Sequence, residues 1–179
     1  MSELVLPTTT VPNPLSAPGL RWGVIAPGRI ASSFIATMHA ATQSQLVAVC
    51  SRSRQRAEEF AQKNYQEDHA SGPARAYDSL SDFLADPDID AVYVASPHAM
   101  HAQYARPVVD AGIPVVVEKA FTLNSREAID LLSRARDNEG FVMEAMWPRF
   151  LPHYDVIRQA IAQGMICLLY TSPSPRDRG

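Results

Sequence analysis

Lysine is nearly absent from this chain: Lys63 and Lys119 are the only two, leaving 14 arginines among the 16 basic residues. Against 19 acidic residues this gives a net charge of -3. There is no basic excess to suggest nucleic acid and no block of like charges to suggest an interaction tail. Cysteine is scarce too. Cys50 and Cys167 cannot build a disulfide framework, and Cys50 lies in an apolar run where a buried thiol is usual. A reducing cytoplasm is the expected compartment. Long apolar runs are missing: none approaches the roughly 20 residues of a membrane-spanning helix, so no membrane partner is expected. The first residues lack the basic start and apolar core of a secretory signal. Their Thr8-Thr9-Thr10 run and Pro7, Pro12, Pro14 and Pro18 predict a disordered leader over 1–19. Metal-ligand patterns are lacking as well. His98 and His101 stand at i, i+3 without a third ligand, and Asp86, Asp88 and Asp90 enclose Pro87 without the glycine and glutamate of a calcium loop.

What is present is enough for one well-buried domain in 179 residues. The end of the chain is unlike the rest. Cys167 to Asp177 reads CLLYTSPSPRD, which back-translates to a transposon-end adapter of the kind used in sequencing libraries. Residues 167–179 are therefore expected to be a non-native tail. On that reading the coding sequence continues beyond 166 into a second domain missing from this chain.

Between leader and tail, strand-like and helix-like patterns alternate. Leu20 to Ile25, Leu46 to Cys50, Ala91 to Ala95 and Pro114 to Val117 are apolar runs of strand length, and Phe141-Val142-Met143 begins a sixth strand. Helices are expected from Ile30 to about Ala40, over Arg54 to Lys63, Ser79 to Leu84 and His101 to Ala111, and from an Asn124 or Ser125 cap to about Glu139. Gly112 and Gly140 are the expected stops of the last two. Such alternation predicts right-handed βαβ units in a doubly wound parallel sheet of Rossmann type over 20–150. A helix from about Pro152 to Gln163 would begin a linker (151–166) to the absent α+β substrate domain.

Ligands of such sheets sit at the carboxyl ends of the strands. Polar residues fall there repeatedly. Ala26-Pro27-Gly28-Arg29-Ile30 follows the first strand and reads as a phosphate-binding turn, with Gly28 leaving room for a pyrophosphate at the backbone. Ser51-Arg52-Ser53 follows the second strand, where an NAD site would carry an acid for the ribose hydroxyls. Arg52, with Arg54 and Arg56 behind it, suits a 2′-phosphate instead and predicts NADP over NAD. Ser96-Pro97-His98 follows the fourth strand and Glu118-Lys119 the fifth.

Four segments then point to a known family. Trp22 to Ala31, Ser96 to His101, Glu118 to Asn124 and Glu144 to Phe150 resemble the successive motifs of the Gfo/Idh/MocA oxidoreductases, and most of all the branch with NADP-dependent xylose and dihydrodiol dehydrogenases. The resemblance implies that Lys119 acts beside nicotinamide and substrate and that Trp147 and Arg149 border the cofactor. His98, where the family more usually has asparagine, His101 and Glu118 are expected at the cofactor from their place in the crevice loops. It further implies a sugar-like small-molecule substrate and a homo-oligomeric parent. A lysine beside the cationic nicotinamide has its ammonium form disfavoured, which suits proton exchange with a carbinol. Ala120 departs from the family by replacing a proline at which a cis bond is common. Ala26 replaces the first glycine of the turn. The alternative is a non-catalytic module that binds or senses NADP(H).

Overall fold

The computed structural model describes residues 5–65 and 72–165. They form two units, 13–146 and the combination of 5–12 with 147–165. The larger is a six-stranded, all-parallel sheet with helices between the strands. In chain order its elements are β1 (Arg21–Ile25), α1 (Arg29–Ala41), β2 (Gln45–Cys50), α2 (Arg54–Lys63), β3 (Arg75–Tyr77), α3 (Leu80–Leu84), β4 (Ala91–Val94), α4 (His101–Asp110), β5 (Val115–Val117), α5 (Ser125–Asp137) and β6 (Val142–Glu144). Their spatial order is β3-β2-β1-β4-β5-β6. The winding reverses between β1 and β4, where Trp22 pairs with Ala91 and Ile25 with Val94, so the crevice of the sheet opens above those two strands.

Both faces of the sheet are covered, which is why its central strands read as unbroken apolar runs. Ile25, Ala48, Val92 and Val94 pack on one side with Phe83, Val108 and Leu131. Val24, Val49 and Tyr93 pack on the other with Ile35, Met38, Ala57 and Phe60. Gly23 lets β1 approach the first layer closely. A Cβ there would stand 2.5 Å from Phe83 Cζ and 3.2 Å from Ile89 Cδ1.

Local signals place most of the boundaries. Ser53, Ser79 and Asn124 accept the N–H of the third residue of α2, α3 and α5 respectively. Glu127 also accepts the Leu123 N–H at 3.2 Å, one residue ahead of the Asn124 cap, and so ties the entering chain to the first turn. Gly112 ends α4 at φ +73. The expected stop of α5 shifts by one residue: Glu139, not Gly140, takes the left-handed conformation, at φ 50. β3 has no apolar run to announce it. It is held by Arg75 and Tyr77, both of which donate to the Asp86 carboxylate, at 2.8 and 2.9 Å. Asp86, Asp88 and Asp90 thus belong to an ion-pair network with Arg21 and Arg75.

In the smaller unit, α6 (Pro152–Ala162) follows a 3-10 turn at Trp147–Phe150. Residues 5–12 have no regular element, but Thr9 Oγ1, Thr10 N and Thr10 Oγ1 donate to Asp155 Oδ2 at 2.7–3.1 Å. The N-terminal segment also supplies a turn, Pro14–Ser16, to the larger unit. The proposed tail 167–179 lies outside the described residues.

Candidate functional site

The turn after β1 is built by a residue in a conformation that side chains resist. Ala26 has φ 62, the left-handed region that the first glycine of such a turn would occupy without strain. Its N–H bonds to the Cys50 carbonyl at 2.9 Å, tying the turn to the end of β2. Gly28 then enters α1 with extended backbone (φ -161, ψ -170). Its conformation is open to any residue, so space is what distinguishes it: no atom lies within 4 Å of where its Cβ would stand. No side chain caps α1. The first-turn N–H groups of a helix lack intrahelical partners and carry the positive end of its dipole. An open backbone at an uncapped helix start fits a pyrophosphate.

A cleft of about 910 Å³ runs from this turn along the carboxyl ends of β1, β2 and β4. Ala26, Pro27, Gly28, Arg29 and Ile30 form its middle. Ser51, Arg52, Ser53 and Arg56 form one end, and Ser96 and Pro97 border the other. A recess of about 440 Å³ shares Arg29, Ile30, Ser96 and Pro97 with it and adds His98, Glu118 and Lys119. The four strand-end loops singled out in the sequence therefore line two adjoining cavities that share four residues. Among the described residues, Arg52 and Arg56 make no ion pair, whereas Arg54 turns away to Glu58 at 3.1 Å. Two arginines rather than three are thus available to a phosphate at this end.

His101 departs from its expected place. It is the first residue of α4 and is 0% exposed, so it does not face the crevice. Its Nδ1 lies 2.8 Å from the Ala120 carbonyl and its Nε2 2.8 Å from the Ser96 carbonyl, linking the loops after β4 and β5 from beneath. Trp147 and Arg149 are exposed residues of the smaller unit. Ala120 replaces proline, yet the Lys119–Ala120 bond is cis.

Sequence reasoning misses four residues that line the cleft: Asp78, Leu80, Gln103 and Tyr104. Asp78 follows the unannounced strand β3, so nothing in the pattern marks it. Gln103 and Tyr104 lie in the first turn of α4, just beyond the Ser96-Pro97-His98 loop that is read. Cys50 also lines the cleft, but burial and, secondarily, Asp78 push its thiol up to about 11. It is therefore protonated and no nucleophile at neutral pH. Among the described residues no three His, Cys, Asp or Glu side chains converge as a metal site, and no helix is long and apolar enough to cross a membrane.

An all-parallel 3-2-1-4-5-6 sheet with an open glycine turn at its switch point is the architecture of a dinucleotide-binding Rossmann domain. Comparison with known proteins makes the class specific. Residues 20–146 match the Gfo/Idh/MocA family model, described as an oxidoreductase family with an NAD-binding Rossmann fold, and the chain belongs to that family. It is 34% identical over 149 residues to trans-1,2-dihydrobenzene-1,2-diol dehydrogenase of Mus musculus, covering 82% of this chain and 43% of that protein. It is 37% identical over 156 residues to D-xylose 1-dehydrogenase (NADP(+)) of Hypocrea jecorina, covering 82% and 39%. Among solved structures, a 3-ketoreductase from Actinomadura kijaniata, in complex with TDP-benzene and NADP, superposes with a TM-score of 0.68 at 27% identity, covering 83% of this chain and 45% of that one. The chain thus spans about two fifths of the length of these curated relatives.

Proposed function

We propose that this chain is the cofactor-binding half of an NADP-dependent oxidoreductase that moves a hydride between nicotinamide and a carbinol of a sugar, polyol or dihydrodiol. The observation that carries this reading is a pair of adjoining cavities with two arginines at one end, free of ion pairs among the described residues, and Lys119 at the other. Arg52 and Arg56 would hold the 2′-phosphate, since a guanidinium matches its oxygens and stays charged. The backbone at Gly28 and the start of α1 would hold the pyrophosphate, and Pro97 and His98 would border the nicotinamide side. When bound, the cofactor supplies the hydride acceptor or donor. Lys119 would then exchange the proton of the carbinol oxygen. Trp147 and Arg149 are assigned to the cofactor's edge by their match to the family motif. The relatives named for NADP(+)-linked xylose oxidation and for dihydrodiol oxidation support this choice of reaction class.

We further infer that the substrate domain lies outside this chain and that the chain alone does not turn over. It would bind the cofactor in an open crevice, with nothing to position a substrate or exclude water. The free, buried Cys50 is consistent with the reducing cytoplasm expected from the scarcity of cysteine.

The test is direct binding. Titration of the chain with NADPH, followed by nicotinamide fluorescence, should give saturable binding. Gly28→Val should weaken it by about 10-fold or more, because its side chain fills space at the pyrophosphate. The melting temperature should change little, since a Cβ at 28 has open space beyond its chain neighbours. NADPH binding that is undetectable, or equal in the two proteins, refutes the assignment of the turn.

A further inference from the structure

Lys119 is exposed in the recess, yet the backbone that carries it is held from below. Tyr93 on β4, 1% exposed, donates its phenol proton to Glu118 Oε1 at 2.6 Å. Glu118 Oε2 in turn accepts the Lys119 N–H at 3.0 Å. The next two residues are held likewise. The Ala120 carbonyl faces His101 Nδ1 at 2.8 Å, and the Phe121 N–H donates to Glu144 Oε1 at 2.9 Å. Three consecutive residues thus take side-chain partners that trace to β4, α4 and β6, just where the β5 ladder has ended.

Tyr93 is fixed in turn by its neighbours in the core. The Phe34 ring stacks on it at 4.2 Å with an interplanar angle of 22°, and Trp22 meets Phe34 edge-on at 5.3 Å. Burial, and then the bond to Glu118, raise its phenol well above the ordinary value, so it remains a donor at neutral pH. Packing alone would be served by phenylalanine, which fills the same space without a polar atom to satisfy. The hydroxyl is explained by what it holds. With one oxygen on Tyr93 and the other on the Lys119 N–H, the Glu118 carboxylate serves as a bracket between a buried core ring and the loop after β5.

We propose that Tyr93 is a positioning residue which, through Glu118, fixes the backbone at Lys119 and thereby aims the lysine into the recess. The proposal rests on the reading of that recess as the nicotinamide end of the cofactor site. Preorganisation of this kind matters because a misplacement of about 1 Å in a reacting group costs on the order of 100-fold in rate.

The chain's two lysines make a test possible without turnover. Lys63 and Lys119 can be acetylated at limiting reagent and followed peptide by peptide by mass spectrometry, with Lys63, exposed on α2, as internal reference. In the wild type, saturating NADPH, whose nicotinamide is neutral, should slow Lys119 relative to Lys63 by about 10-fold, the effect of one hydrogen bond from the ammonium to the bound nucleotide. In Tyr93→Phe, with its melt still cooperative and the Lys63 rate unchanged, protection should fall to about 3-fold or less. Glu118→Gln should act in the same direction, and the double variant should be no worse than the worse single one, because both remove one bracket. If wild-type Lys119 is not protected, the nicotinamide-end reading fails and this proposal falls with it. If the wild type is protected and Tyr93→Phe is protected equally, the positioning role alone is overturned. Should Tyr93→Phe fail to fold, Glu118→Gln carries the same comparison: full protection in it refutes the bracket, and loss of protection supports it.

Discussion

Replacing Arg52 by alanine should lower the preference of this chain for NADPH over NADH by about 10-fold. A 2′-phosphate brought to the end of the cleft lined by Ser51, Arg52, Ser53 and Arg56 meets two guanidinium groups without ion-pair partners among the described residues. A charge-assisted contact of this kind is worth about 1.5–3 kcal/mol, which is roughly 10- to 150-fold. Two features select the lower end. Arg52 is exposed, so solvent screens it, and Asp78 lines the same cleft with a charge that repels the phosphate. Asp78→Asn should accordingly raise NADPH affinity a few-fold, and salt should weaken NADPH binding more than NADH binding. Fluorescence titration of both nucleotides against wild type, Arg52→Ala and Asp78→Asn, at low and high salt, measures the ratio. An NADPH/NADH affinity ratio that is the same in wild type and Arg52→Ala would refute the reasoning, since NADH lacks the one group the arginine is assigned to bind.

Two further predictions concern the scaffold. Glu139 ends α5 at φ 50, so Glu139→Gly should raise the unfolding free energy by up to about 1 kcal/mol, measured by urea denaturation, and a loss of stability would count against the left-handed cap. Asp86 gives an acid limb to stability. Burial raises its carboxyl, but the bonds from Arg75, the Asp88 N–H and Tyr77 outweigh this and hold it below 3.8. Its contribution is therefore complete above that value and is lost as pH falls through the depressed one. Urea midpoints from pH 7 down to 3 should show a steeper acid decline for wild type than for Asp86→Asn, and parallel curves would exclude the linkage.

How much of this was legible in the sequence follows from where each signal is stored. β1, β4 and β5 are covered on both faces, so burial alone writes them as apolar runs. β3 is a three-residue edge strand whose Arg75 and Tyr77 are chosen for Asp86, a partner that no local period can reveal. The crevice loops are legible because the parallel topology sends every strand's carboxyl end to the same side. The direction of a side chain within those loops is not. Arg52, Arg54 and Arg56 read alike, and only the backbone entering α2 sends Arg54 to Glu58 and leaves the other two at the cleft. His101 stands in a recognisable motif, but the start of α4 turns it inward to the Ser96 and Ala120 carbonyls. Tyr93 shows the limit most clearly. In the sequence it is one more bulky residue of an apolar strand, while its hydroxyl's partner, Glu118, is 25 residues away. They meet because β4 and β5 pair in parallel with Val94 opposite Val117, which carries Glu118 just past the strand end, above the Tyr93 ring. A bond set by the register of two strands and the length of one side chain leaves no periodicity behind, and so the residue proposed to aim Lys119 is the one that reads most plainly as core.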